Sequence, residues 1–167
     1  IPPIRYARTA DDVNIAYWTL GSGPVLLEDA SHTSPSHLSA EWLIPTSASW
    51  YLALSRRWQV IRYDGRGGGM SDRKSVHSSV QNVAQDIETV LDAVGVDRVT
   101  ILTGWVQATG AVRFALNQPG RVERLILWSP LLRGEDLYTE SRMSVVPELA
   151  SADLELYLES AISTVVG

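Results

Sequence analysis

Residues 99–110 read Val99-Thr100-Ile101-Leu102-Thr103-Gly104-Trp105-Val106-Gln107-Ala108-Thr109-Gly110. The first four are β-branched or aliphatic, which predicts a buried strand over Val99–Leu102. Thr103–Gln107 then forms a tight turn, and a helix runs from Val106 to Gln118, where Pro119-Gly120 stops it. A buried strand feeding a helix through a short turn is the unit from which parallel sheets are built.

Elements of the same kind lie on both sides. Downstream, Arg121–Trp128 contains the next strand, with Leu125-Ile126-Leu127-Trp128 apolar on both faces. Upstream, Val80–Val94 is the clearest helix, because Val80, Val83, Ala84, Ile87, Val90, Leu91 and Val94 recur on one helical face. Ser78 and Gln81 make a capping-box pattern, and Gly95 supplies the C-terminal stop. Asp86, Glu88 and Asp92 fall off that stripe and read as a solvated face. Gln59–Tyr63 is a strand, and Ser47–Arg57 a helix with Trp50, Leu52, Ala53 and Leu54 as its apolar surface. Val25-Leu26-Leu27 is a short buried strand.

Nearer the start, Ile4–Ala7 and Val13–Leu20 make a hairpin. In the second strand Val13, Ile15 and Tyr17 face one side while Ala16, Trp18 and Leu20 face the other. Beyond residue 130, Leu131–Arg142 is a connection and Ser151–Val166 an amphipathic helix. The order predicts an α/β fold, with a mostly parallel sheet and helices on both faces.

Bulk properties bound the function. The chain has 167 residues, 45% hydrophobic and 20% charged, enough for one core. A net charge of −5 argues against nucleic acid, which demands clustered Lys and Arg. No apolar run is long enough to span a bilayer, so no membrane contact is expected. Zero cysteines exclude thiolate chemistry and fit a cytoplasmic protein. His32, His37 and His77 have no close acidic neighbours, so neither a metal nor another cofactor is expected.

The turn after the Gln59–Tyr63 strand reads Asp64-Gly65-Arg66-Gly67-Gly68-Gly69-Met70-Ser71-Asp72. It lacks the lysine of a P-loop, so a phosphate cradle is not indicated. It does match D-x-R-G-x-G-x-S-D, a turn found after the fourth strand of many α/β-hydrolases. Together with the hairpin and the segment QPGRVERLILW, it makes Ile4–Trp128 resemble the first six strands of that family. The nearest likeness is to hydrolase modules fused to helix-turn-helix regulators or nucleotidyl cyclases. The resemblance divides the chain into a core over 1–130 and a helical segment over 131–167 that resembles the start of a cap. It implies a truncated core, because the two further strands of the family, with the catalytic His and usually the acid, would follow. It also implies structural roles for Asp64, Gly65, Arg66, Gly67, Gly69 and Ser71.

The same resemblance makes residues 103–107 the nucleophile elbow, G-x-S-x-G in active relatives. Here Trp105 stands where the Ser belongs, and a shift of one residue offers only Gly104 or Val106. Relatives with an Asp nucleophile, such as dehalogenases, often show Asp-Trp there, but Gly104 precedes Trp105. Glu135 and Asp136 fall where some relatives place the acid. No His follows His77, so no general base stands in family order, and Thr103, Thr109 and Ser129 are weak nucleophiles without one. The oxyanion segment, placed at Asp29, Ala30, Ser31 and His32, has no Gly.

The expectation is a non-catalytic relative of serine hydrolases that binds a small apolar ligand or a partner. Trp105 and His32 are the candidate ligand contacts, Trp105 reading either as an apolar plug that fills a dead pocket or as an aromatic floor for a ligand, and His32 either as a solvent-facing loop residue or as a remnant of the oxyanion loop. The alternatives are part of an active esterase-type hydrolase completed by another chain, and a structural remnant with no ligand. A homo-oligomer is expected through the Arg121–Trp128 edge or the Ser151–Val166 helix.

Overall fold

The computed structural model describes residues 1–29, 37–73, 79–105 and 107–130. They form one six-stranded sheet in the order β1-β2-β4-β3-β5-β6. The strands are β1 (Arg5–Arg8), β2 (Asn14–Leu20), β3 (Val25–Asp29), β4 (Gln59–Tyr63), β5 (Val99–Trp105) and β6 (Val122–Pro130). β1 pairs antiparallel with β2, and β2 antiparallel with β4. From there the sheet is parallel: β4 with β3, β3 with β5, and β5 with β6. This is the α/β arrangement expected from the sequence.

The helices connect the parallel strands. They are α1 (Pro45–Leu54), α2 (Val80–Val94) and α3 (Ala108–Asn117), with a short 3-10 helix over Ala40–Leu43. α2 forms where its apolar stripe predicts, burying Val83, Ala84, Ile87, Val90 and Leu91. Its N-cap is Ser79, whose hydroxyl accepts from the Asn82 amide, and not Ser78, which lies outside the described residues. Ser79 sits one residue before the first helical turn, the position from which a hydroxyl reaches the third amide. Gly95 ends the helix at φ 76°.

β2 divides two cores. Val13, Ile15 and Tyr17 join Leu27, Ile61, Ile101 and Phe114 on one side of the sheet. Ala16 and Trp18 join Leu38, Tyr51 and Val60 on the other. There Trp18, Trp42 and Tyr51 meet with ring centroids 4.9–5.7 Å apart. Such aromatic pairs add to the burial they bring.

Three further expectations are corrected. α1 turns Tyr51 inward and leaves Trp50 and Leu52 exposed. The Tyr51 hydroxyl donates to Glu41 and accepts from Arg62, and that polar tether fixes the helix's rotation better than an apolar stripe does. β5 runs three residues past Leu102, so the helix after the turn begins at Ala108. Asp86 is fully buried, not solvated, because it pairs with Arg66. The 151–166 helix and the 131–142 connection lie outside the described residues.

Candidate binding site at the open end of the sheet

The parallel strands β3, β5 and β6 all end on one side, at the switch from sheet to loops where α/β proteins place their ligands. A cavity of about 220 Å³ opens there, lined by Glu28, Asp29, Trp50, Leu102, Thr103, Gly104, Trp105, Gln107 and Trp128.

Trp105 is the last residue of β5 and has φ 53°. A left-handed backbone is costly for a bulky side chain, and strained residues of this kind cluster at functional sites. The strain presents the indole outward, 51% exposed, on the cavity wall. Next to it the ladder with β6 is irregular: Gly104 pairs with Trp128 and Trp105 with Pro130. A Cβ on Gly104 would drive into the Trp128 carbonyl oxygen, so β6 approaches the turn only because residue 104 is glycine. Trp105 thus ends β5 with a left-handed backbone at the position where the sequence pattern expects the nucleophile.

Asp29 is the final residue of β3 and not part of a loop. It is buried, accepting from the Tyr63 hydroxyl at 2.7 Å and the Thr103 hydroxyl at 3.2 Å. Thr103 is thus held by a carboxylate. Thr103 and Gln107 fill the two glycine positions of the elbow pattern, and both are buried. Ala30, Ser31, His32, Glu135 and Asp136 lie outside the described residues.

Glu28, one residue earlier, is the feature that sequence reading missed. Its Oε2 lies 3.0 Å from Arg62 Nε. Burial nonetheless pushes its pKa up to about 7, against the pull of Arg62 and with help from Glu41 and Asp29. Burial prevails because the guanidinium is shared. Its Nε donates to Tyr51 Oη at 3.2 Å and its Nη2 to Glu41 Oε1 at 2.6 Å, and a further bond runs from Nη1 to the Tyr63 carbonyl. Glu28 Oε2 itself has no hydrogen bond. Burial also lowers the proton affinity of Arg62, but Glu28 and Glu41 more than offset it, and the group stays charged. A charged residue in the middle of β4 was the available sign of this cluster, because a buried guanidinium must have carboxylates around it.

The glycine turn holds itself together. Asp64 Oδ2 accepts from the amides of Leu38 at 3.1 Å and Met70 at 2.8 Å. Ser71 donates to the Asp64 carbonyl and accepts from the Ala16 amide. Asp72 accepts from the backbone and side chain of Asn14, both at 2.9 Å. Gly67 and Gly69 have φ 83° and 48°. Arg66 reaches out of the turn to Asp86 and Asp11.

Among the described residues, no three His, Asp or Glu side chains group as metal ligands. No described helix is long and apolar enough to cross a membrane.

Known proteins share this fold. Residues 41–155 match the sequence profile of the α/β-hydrolase fold family. A Caulobacter segnis protein provisionally named carbamate hydrolase RutD is 35% identical over 82 residues, which are 46% of this chain and 31% of that protein. An uncharacterised Mycobacterium bovis protein is 28% identical over 149 residues, 87% of this chain and 40% of its own. Among solved structures, the esterase RhEst1 from Rhodococcus sp. ECU1013 superposes with a TM-score of 0.72 at 25% identity, covering 94% of this chain and 58% of that one. A hydrolase from Pseudomonas aeruginosa shares the fold, with a TM-score of 0.65 and 24% identity, over 94% of this chain and 64% of its own. The chain thus spans 31–40% of the length of these curated relatives. By the match over 41–155, the sheet order and these superpositions, the chain belongs to the α/β-hydrolase fold family.

Proposed function

We propose that this chain is a non-catalytic member of its family that holds a small ligand at the open end of its sheet. One observation carries the reading: at the position expected for the nucleophile, the backbone is strained at φ 53° and presents Trp105 to the cavity. An indole has no group to attack a carbonyl, but it offers a wide apolar face and one N–H donor. The nearby Thr103 hydroxyl is spent on Asp29 and has no imidazole beside it among the described residues. Loss of nucleophile and base costs far more than the roughly 10²–10³-fold penalty for one oxyanion donor.

The test is turnover of a short-chain nitrophenyl ester together with labelling by a fluorophosphonate probe. We expect neither to exceed a denatured control, and no gain from Trp105→Ser. Turnover that heat abolishes would overturn the reading.

Two structural roles belong with this proposal. The 64–72 turn acts as scaffold and not as an anion cradle, because its carboxylates and hydroxyl already take the surrounding amides. The chain self-associates through β6, whose pairing among the described residues is with β5 alone.

A further inference from the structure

The cavity at the end of the sheet combines two chemistries seldom put together without a reason. Three of its lining residues are Trp50, Trp105 and Trp128, exposed by 43%, 51% and 69%. They come from separate elements, α1, β5 and β6, so the cavity wall draws its tryptophans from three directions of the chain. Two more lining residues, Glu28 and Asp29, are carboxylates.

We propose that the cavity is an aromatic cage for a small organic cation, a methylated ammonium head group. This rests on the binding reading above and names the ligand's chemical class. The faces of indole rings are electron-rich, and Trp is the strongest cation–π partner among the side chains. A quaternary ammonium suits such walls because its charge is spread over methyl groups that lose little by leaving water. It asks for no hydrogen bond, so no donor or acceptor need be matched.

The charge balance points the same way. Glu28 faces one guanidinium, Arg62, and has both Glu41 and Asp29 close enough to act on it. Its Oε2 is buried without a hydrogen bond. One guanidinium thus serves Glu28 and Glu41 together, and a cation entering the cavity adds positive charge beside these carboxylates, whereas an anion would meet Glu28 and Asp29 directly. Size sets the limit on the ligand. About 220 Å³ is below the roughly 300–1,000 Å³ of pockets for drug-sized molecules, so the head group alone fits, with any tail leading outward.

Choline and its neutral isostere 3,3-dimethylbutan-1-ol have the same shape and differ in charge, which makes them the deciding pair. Both are titrated into the 167-residue chain by calorimetry, with quenching of tryptophan fluorescence as a second readout. We expect saturable choline binding about tenfold tighter than the alcohol, a gap between that of an exposed cation–π contact and that of a desolvated one. Trp105→Phe should keep most of that preference, while Trp105→Leu and Glu28→Gln should each reduce it several-fold, with circular dichroism confirming the fold. Since Trp105 is half exposed, its variants remain informative even where Glu28→Gln fails to fold. Equal affinity for the two compounds would overturn the cage and leave a plain apolar site. So would the absence of binding by both, or a choline preference that survives Trp105→Leu. Ester turnover by the same preparation would overturn the non-catalytic reading separately.

Discussion

The Arg66 guanidinium and the Asp86 carboxylate meet at 2.7 Å with neither side chain exposed. The pair ties the glycine turn after β4 to the middle of α2, two segments 20 residues apart. Arg66 Nη2 donates to Asp86 Oδ1 at 2.7 Å and Nε to Oδ2 at 3.1 Å, so the contact is bidentate. Removing one partner leaves a buried charge uncompensated. Arg66→Met is expected to cost roughly 3–5 kcal/mol, while the double change with Asp86→Leu should recover much of it. Urea unfolding of the two variants and the double variant checks this.

The same guanidinium reaches Asp11 at 2.6 Å. Its hydrogen bond, with a second from Thr9, lowers the Asp11 pKa to about 2. A lowered carboxylate pKa gives stability that is complete above about pH 4 and is lost as pH falls through about 2. An acid titration of wild type should show that loss, and Asp11→Asn should flatten it.

At Gly69 two demands coincide. Its φ is 48°, and a Cβ there would enter the Asp64 carboxylate that binds the Leu38 and Met70 amides. Gly69→Ala is expected to destabilise by at least ~1–2 kcal/mol, since it combines left-handed strain with a broken network. Gly68→Ala is the control, because its Cβ would make only an ordinary 3.5 Å contact. Equal melting temperatures for the two variants would remove the scaffold role from this turn.

How much of this was legible in the sequence depends on the range of the interaction. α2 and β4 were read to the residue, because an amphipathic period and a β-branched run are local signals. The two faces of β2 were read from alternation alone and sort into the two cores as expected. Asp86 was misread because the helical period marks apolar positions only, and its partner lies in another element. α1 was misread for a like reason: Tyr51 points inward for Glu41 and Arg62, not for a stripe. At the site, the substitution at Trp105 was plain, but its positive φ, the role of Asp29 as a strand end and the Glu28–Arg62 cluster arise only from β3, β4 and β5 side by side.

Trp105 pays a backbone cost that glycine would not. A left-handed non-glycine residue costs of order 1–2 kcal/mol, partly offset by the greater unfolded-state freedom of glycine. With the indole half exposed, little burial is lost on its removal. Trp105→Gly is therefore expected to leave the melting temperature unchanged or raise it. A clear drop on thermal unfolding would mean that the indole is a structural plug, and the site would lose its main support.

Glu28 makes stability depend on pH in the opposite sense to Asp11. Its pKa rises from 4.5 unfolded to about 7 folded, so the native state holds the proton more tightly. Stability is then greatest below about pH 4.5 and falls as pH rises through about 7. A shift of that size corresponds to roughly 3 kcal/mol. The groups acting on it are Arg62 on β4, Glu41 in the 3-10 helix and the adjacent Asp29. Glu28→Gln should match wild type near pH 4 and exceed it near pH 8 in chemical denaturation. Parallel profiles for the two proteins would show that Glu28 does not titrate in this window.

The final expectation concerns β6. Leu125 packs against the core, while Ile126, Leu127 and Trp128 are exposed by 44%, 38% and 69%. Among the described residues, this strand is the edge of the sheet. An apolar edge with unpaired N–H and C=O groups is a template for another strand, and Arg121, Glu123 and Arg124 guard only its beginning. A second copy of the chain offers the same edge, and two such edges pair antiparallel about a twofold axis. Light scattering is expected to give a dimer or larger assembly at micromolar concentration. Ile126→Lys places charge mid-strand and should shift it to monomer, with the circular dichroism spectrum retained. Residues 151–166 of the same chain are the competing cover for this edge. A wild-type monomer whose Ile126 is cross-linked only within its own chain would decide for them and against the dimer.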